Sequence, residues 1–331
     1  MTDTVADHPG STLGADPAPR IAAAIRDPIP WQDFVRVVET LEETGYGALF
    51  LPEIAGREAF TTLAAIAGRT QRLRLGTGVV TAASRRIQTM AMAAATVQEV
   101  SAGRLVLGLG TGPATPGALD RLRTTVVGLR GLFAGERVET DEGSARLQAP
   151  PARAVPIWLA ALGPRATRLA GEIADGVLLN WCTPERVAQA VGEVHEGARA
   201  AGRDPAEVTV AVYVRACVGV DDAAALTGLR AAAGEYAAIP AYRRQFERAG
   251  LAVEAQTAAR AHHDRRPDAV PESLVRAVSL LGDAEEGRAR LRSYREAGAQ
   301  LPIVYPVPAR DRASSLLGTI FALAPHPVLA P

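Results

Sequence analysis

Apolar residues along this chain fall in short runs separated by longer amphipathic stretches. The first run, "IAAAI" (21–25), precedes a helical pattern over 31–44. The alternation continues with "ALFLP" (48–52) and a helix over 58–69, then "RLRLGTGVV" (72–80) and a helix over 86–100. A strand over 104–109 leads to a helix over 119–132. A polar stretch over 136–147, patterned as a hairpin, delays the fifth strand to "PIWLAA" (156–161). Next come a helix over 165–171, the strand "GVLLNW" (176–181) and a helix from Pro184 to about residue 201, with Thr183 as its N-cap. "EVTVAVYVRACVGV" (207–220) and "LPIVYP" (301–306) complete the strands, and a helix over about 311–323 ends the pattern. Gly45 and Gly47 read as left-handed residues closing the first helix.

Eight apolar runs alternating with helices predict an α/β fold, a (β/α)8 TIM barrel. An open doubly wound sheet with a helical second domain is the alternative. The barrel is preferred because the alternation persists almost to the C-terminus. The span 221–298 is too long for one crossover. It predicts a helical insertion, about 221–283, between strands seven and eight, with the regular seventh helix in "AEEGRARLRSYREAG". Residues 21–331 read as a single barrel domain. Residues 1–20, rich in Pro, Gly, Asp and Ser, read as a disordered arm and lack the charged and apolar regions of a secretory signal.

With 331 residues, 48% of them hydrophobic, the chain can bury a large core. A net charge of zero gives no global attraction to nucleic acid or anionic membranes, and there is no 18-residue uncharged apolar run to span a bilayer. All 36 basic residues are arginine, which removes lysine as a Schiff-base or general-base candidate. Cys182 and Cys217 are the only cysteines, too few for a disulfide framework or a CxxC metal site, and a cytoplasmic location is expected. No metal site is expected: "AHHDRRPD" reads as a solvated loop and the other histidines stand apart.

Two strands end in the same Gly-Thr-Gly, at 76–78 and 110–112. In a barrel the carboxyl ends of the strands form the active-site rim. The strand reading puts Glu53, 76–81, 110–112, 162–163 and 180–181 on that rim. Glycines there let a flat ring or a phosphate lie against the backbone and its N–H donors; the plainer alternative is that the strands simply turn. "GLGTG" lacks the GxGxxG spacing, and no Walker lysine exists.

These motifs resemble those of the luciferase-like flavin and deazaflavin oxidoreductases. The resemblance rests on "TQRLRLGTGVV", "EVSAGRLVLGLGTG" and "VPIWLAALGPRATRLAGEIADGVLLNW" and runs from about 21 to 305. The third motif looks most like the branch that uses coenzyme F420, which includes methylene-tetrahydromethanopterin reductase-like and glucose-6-phosphate dehydrogenase-like enzymes. The resemblance implies hydride transfer between F420 and a small organic substrate, a C=C, C=N or C=O group or an alcohol. An FMN-dependent monooxygenase and a non-catalytic flavin-binding barrel are the alternatives, with FMN as the alternative cofactor. It also implies a homodimer through helices beside the second and third strands.

Carried over to this sequence, the resemblance implies a cis peptide at Gly78–Val79 behind the coenzyme ring. Thr81 would lie at the ring edge, Thr111 and Gly112 beside the ring or ribityl chain, and Leu162 and Gly163 near the phosphate arm, with Ala161 also binding the coenzyme. Glu53 matches an acidic residue that contacts the coenzyme. Two departures stand out: Pro113 and Ile54 occupy the positions of a glutamate and a histidine in the sugar-phosphate dehydrogenases. Glu53 and, after the first strand, Asp27 are the acid/base candidates, although each could be a structural carboxylate. Asn180, Trp181 and Tyr236 are the candidate substrate-pocket residues. Trp158 reads as core, Cys182 as an inert thiol, and Arg85 and Arg86 as candidate contacts for the coenzyme's anionic tail.

Overall fold

The computed structural model describes residues 21–26, 29–140, 143–309 and 312–325. The arm over 1–20 and the candidate Asp27 lie outside the described residues. The chain opens with β1 (Ala22–Ala24), α1 (Trp31–Glu43), β2 (Ala48–Leu51), α2 (Ala59–Ala67), β3 (Arg74–Thr77), β4 (Val80–Thr81) and α3 (Ile87–Val100). β5 (Leu105–Gly110) and α4 (Ala118–Phe133) precede an antiparallel hairpin, β6 (Val138–Thr140) and β7 (Gly143–Ala145). Then come β8 (Ile157–Ala161), α5 (Pro164–Ile173), β9 (Gly176–Asn180), α6 (Pro184–Ala200) and β10 (Thr209–Val218). The span that follows contains α7 (Asp222–Ala237), α8 (Pro240–Arg248), α9 (Ala252–His263), α10 (Glu272–Val278) and β11 (Ser279–Gly282). α11 (Ala284–Glu296), β12 (Leu301–Pro306) and α12 (Arg312–Ala322) complete the described fold.

The main sheet runs β10–β12–β1–β2–β3–β5–β8–β9, and β9 pairs with β10 to close it. All of these pairings are parallel, so this is an eight-stranded barrel ringed by helices. Its strands read as near-continuous apolar runs because both faces are covered; β10 is buried along its whole length. Inside, large and small residues alternate around the ring. Phe50 fills space left by Gly76, where a Cβ would stand 2.4 Å from the ring, and Trp158 fills space left by Gly176 at 2.7 Å.

The third barrel position is irregular in a way that shapes the rim. β3 pairs with β5 in the register Leu75↔Leu105, whereas β4 pairs with the same strand in the register Val80↔Leu109. The offset falls from 30 to 29, so the β3–β4 side holds one extra residue, a bulge. The Gly78–Val79 peptide within it is cis, as the resemblance implied. The Thr77 hydroxyl replaces the interrupted ladder: Oγ1 accepts from Gly108 N and donates to Gly108 O, both at 2.8 Å.

Three local readings differ. Gly45 is left-handed with φ +85°, but Gly47 is not; its N–H donates to Ile21 O and starts β2. β11 was not anticipated; it adds to the edge of β10 outside the ring. The His262–His263 pair ends helix α9 rather than lying in a loop. Among the described residues no helix is long and apolar enough to cross a membrane.

Candidate active site

The bulge and the neighbouring strand ends form the floor of a cavity of about 790 Å³ at the carboxyl rim. Of the residues singled out from sequence, Glu53, Gly78, Val79, Thr81, Thr111, Gly112, Ala161, Leu162, Gly163, Asn180 and Tyr236 all line it. Gly112 has φ +74°, a conformation that side chains rarely adopt. A Cβ on Gly110 would stand 2.8 Å from Val79 Cγ2, and one on Gly78 would meet the Tyr213 hydroxyl at 2.4 Å. The floor is therefore bare main chain with no room beneath it for added side-chain atoms.

Trp181 is not brought to the cavity wall. It has φ +54°, is only 1% exposed, and packs with Tyr236 and Phe246 in the apolar cluster under the insertion helices. Trp158 lies inside the barrel against Phe50, as its place within a strand implied. Cys182 is buried and hydrogen-bonded from Gln245 Nε2; burial pushes its thiol up to about 12.

Glu53 faces the cavity with its carboxylate already engaged. Oε2 accepts from Arg85 Nη2 at 2.6 Å and from the Ala59 amide at 3.0 Å. Arg85 also bridges to Glu58 at 2.5 Å and stacks on Phe60. Glu58 caps α2: burial would raise its pKa, but the amide and hydroxyl of Thr61, the amide of Phe60 and Arg85 outweigh this and hold it low. Ile54 and Pro113, the two departures from the resemblance, both line the cavity and leave it apolar at those positions.

The structure also brings in residues that strand periodicity concealed. Tyr213 and Arg215 of β10 and Tyr305 of β12 line the cavity. Neither tyrosine hydroxyl has a hydrogen-bond partner among the described residues. Burial raises both phenol pKa values, with Arg215 opposing the shift, so both stay protonated at neutral pH. Asn180 joins this group: Oδ1 accepts from Arg215 Nη1 at 2.6 Å, and Nδ2 donates to the Tyr242 hydroxyl at 3.2 Å. Just beyond the end of β8, Gly163 is the N-cap of α5. Arg244 lines the cavity, and Arg248 Nη2 lies 3.4 Å from the place a Gly163 Cβ would occupy. A helix start with arginines beside it suits an anionic group.

A closed parallel barrel with a glycine-floored cavity at its carboxyl rim defines a ligand-binding barrel of the kind that carries enzyme sites. The sequence profile of the luciferase-like monooxygenase family matches residues 10–301, and the chain belongs to that family. It is 32% identical over 301 residues to the 5,10-methylenetetrahydromethanopterin reductase of Methanolobus tindarius, covering 84% of this chain and 91% of the relative. To the F420-dependent glucose-6-phosphate dehydrogenase 1 of Rhodococcus jostii it is 29% identical over 276 residues, 76% of this chain and 78% of that one. An F420-dependent secondary alcohol dehydrogenase, solved with an F420-acetone adduct, has the same fold. The TM-score is 0.77 at 19% identity, over 93% of this chain and 98% of that one.

Proposed function

We propose that this protein is a coenzyme F420-dependent oxidoreductase acting on a small organic substrate. The observation that carries the reading is the cavity floor: bare backbone at Gly78, Gly110 and Gly112, continuous with the α5 N-terminus and its arginines. A flat ring with an anionic tail fits this surface. Bulky side chains would have filled it. The names of the relatives point to F420 among such coenzymes.

When bound, F420 supplies hydride exchange at a ring carbon. The chain's own residues do the rest. Gly78, Val79, Thr81, Thr111 and Gly112 support the ring, and Ala161, Leu162 and Gly163 with Arg244 and Arg248 hold the tail. Glu53, fixed by Arg85 and the Ala59 amide, serves as a positioned acceptor at the ring's edge rather than as a mobile acid. Ile54 and Pro113 carry no proton for the substrate, and the protonated phenols of Tyr213 and Tyr305 lie in the same part of the barrel with their hydroxyls buried. Asn180 and Tyr236 shape the substrate side. A homodimer is part of the same reading: the outer face of α3 exposes Met92 and Val100 beside small residues. So is a cytoplasmic location, suggested by two buried free cysteines.

The test is a titration of purified protein with F420 and, separately, with FMN, following coenzyme fluorescence. Saturable binding of F420, tighter than that of FMN, is expected. Tighter binding of FMN, or of neither, refutes the assignment. Light scattering after gel filtration should give twice the 34.6 kDa chain mass.

A further inference from the structure

Two arginines are buried among the described residues, and their surroundings differ. Arg186, 2% exposed, meets the Glu193 carboxylate at 2.9 and 3.2 Å. Arg215, 3% exposed, has no carboxylate within ion-pair distance among the described residues. Its one hydrogen bond there goes to the neutral Asn180 side chain. A guanidinium carries five N–H donors, and a buried cation without an anion is unfavourable. The faces of Trp181, Tyr236 and Tyr305, at 4.6, 5.0 and 4.0 Å from its central carbon, offset part of that cost. They supply no hydrogen-bond acceptor. Nη1 makes that bond, and Arg215 lines both cavities described below.

Arg215 also lies where two cavities meet. The second, about 670 Å³, extends from the ends of β10 and β12 beneath α7 and α9, and shares Arg215, Tyr236 and Tyr305 with the first. Its wall includes Arg26, Arg230, Arg265, Arg266 and Arg312 against a single carboxylate, Glu235. That carboxylate pairs with Arg26 at 3.2 Å, and Arg230 and Arg266 pair with Glu272 and Asp268 at 3.6 and 3.2 Å, so the surplus of arginine in the lining is partly balanced from outside it. A cleft lined this way concentrates anions.

We propose that Arg215 anchors a carboxylate of the substrate at the junction of the two cavities, so that the enzyme acts on an organic acid. The planar edge formed by Nε and Nη2 matches a carboxylate in bidentate geometry, and one monoanion balances the one unpaired charge. That the carboxylate belongs to a substrate rests on the oxidoreductase reading above; the anion site itself does not.

The experiment is calorimetric titration of the full chain with acetate, hexanoate and benzoate, each beside its primary amide, and with inorganic phosphate. At least one carboxylate should bind tenfold or more tightly than both its amide and phosphate. Arg215→Gln should abolish that preference and Arg215→Lys retain part of it, with F420 affinity changed less than threefold in both. Equal binding of every acid and amide by the wild type overturns the proposal without any variant. Tighter binding of phosphate, an unchanged preference in Arg215→Gln, or a tenfold loss of F420 affinity in that variant each overturns it too. If F420 fails to bind the wild type while the carboxylate preference holds, the oxidoreductase reading falls and the anion site stands.

Discussion

Replacing Gly110 by alanine tests the bare-floor reading at one atom. The new Cβ would stand 2.8 Å from Val79 Cγ2 and 3.8 Å from Ala160 Cβ. Carbon contacts are favourable at about 3.5–4.0 Å, so the valine methyl must retreat by roughly 0.7 Å or more. Val79 is β-branched and stiff, and its open side is the cavity. Overpacking of this kind costs about 1–3 kcal/mol, while the loss of glycine freedom in the unfolded chain returns about 0.4–1 kcal/mol. A net loss of about 1 kcal/mol lowers Tm by at most about 2–4 °C. The larger effect falls on the coenzyme, because the displaced methyl rises toward its face. A repulsion of about 1–2 kcal/mol weakens F420 binding roughly 5- to 30-fold. Fluorescence titration measures this directly. The double variant Gly110→Ala with Val79→Ala removes the opposing methyl and should recover most of the affinity. F420 affinity within twofold of wild type for Gly110→Ala, or no recovery in the double variant, refutes the reasoning.

Other consequences are as direct. Thr77→Val leaves the buried N–H and C=O of Gly108 without their partner and should lower stability in urea by about 2 kcal/mol or more; a loss below about 0.5 kcal/mol shows that the bridge is dispensable. Glu58→Ala removes the α2 cap and should cost about 1 kcal/mol at pH 7. Because the folded pKa of Glu58 lies below its unfolded value, that contribution is present above the unfolded value, about pH 4.3, and fades as pH falls through the folded one. Unfolding curves of wild type and variant should thus converge in acid, and a pH-independent gap counts against the carboxylate's role. Burial pushes the Cys182 and Cys217 thiols up to about 12 and about 11, so a thiol reagent at pH 8 should react only after denaturation; fast labelling of native protein contradicts this.

The barrel was legible in sequence because covered parallel strands leave uninterrupted apolar runs, and eight such runs alternate with helices. The cavity floor was legible for a related reason: glycine at a strand end marks where something must approach closely. Partners far apart in sequence were not. Nothing near Glu53 announces that Arg85, 32 residues on, and an α2 amide would occupy its carboxylate. Trp181 follows a strand and invites a pocket role, but its left-handed backbone sends the ring into the cluster below α7. β11 was hidden because "SLLG" continues the apolar pattern of α10 without a turn signal. Arg215 did leave a mark, a lone cation inside "TVAVYVRACV", which a buried strand has no structural reason to contain.

The insertion then takes on more than a covering role. Tyr236 comes from α7, and Tyr242, Arg244 and Arg248 come from α8. Tyr236 faces both cavities and stacks on Arg215, whereas Arg248 stands beside Gly163 and Arg244 lines the same cavity. The same pair of helices thus reaches both the proposed carboxylate anchor and the proposed tail site. Ile54 and Pro113 are apolar and Glu53 is held by Arg85, so the ends of β2 and β5 offer no free acid/base side chain at these positions. On the proposed reading, substrate recognition falls to β10, β12 and the insertion. The proposed acid anchor thus sits on two strands and the helices between them, apart from the Gly78, Gly110 and Gly112 backbone on which the coenzyme is proposed to rest.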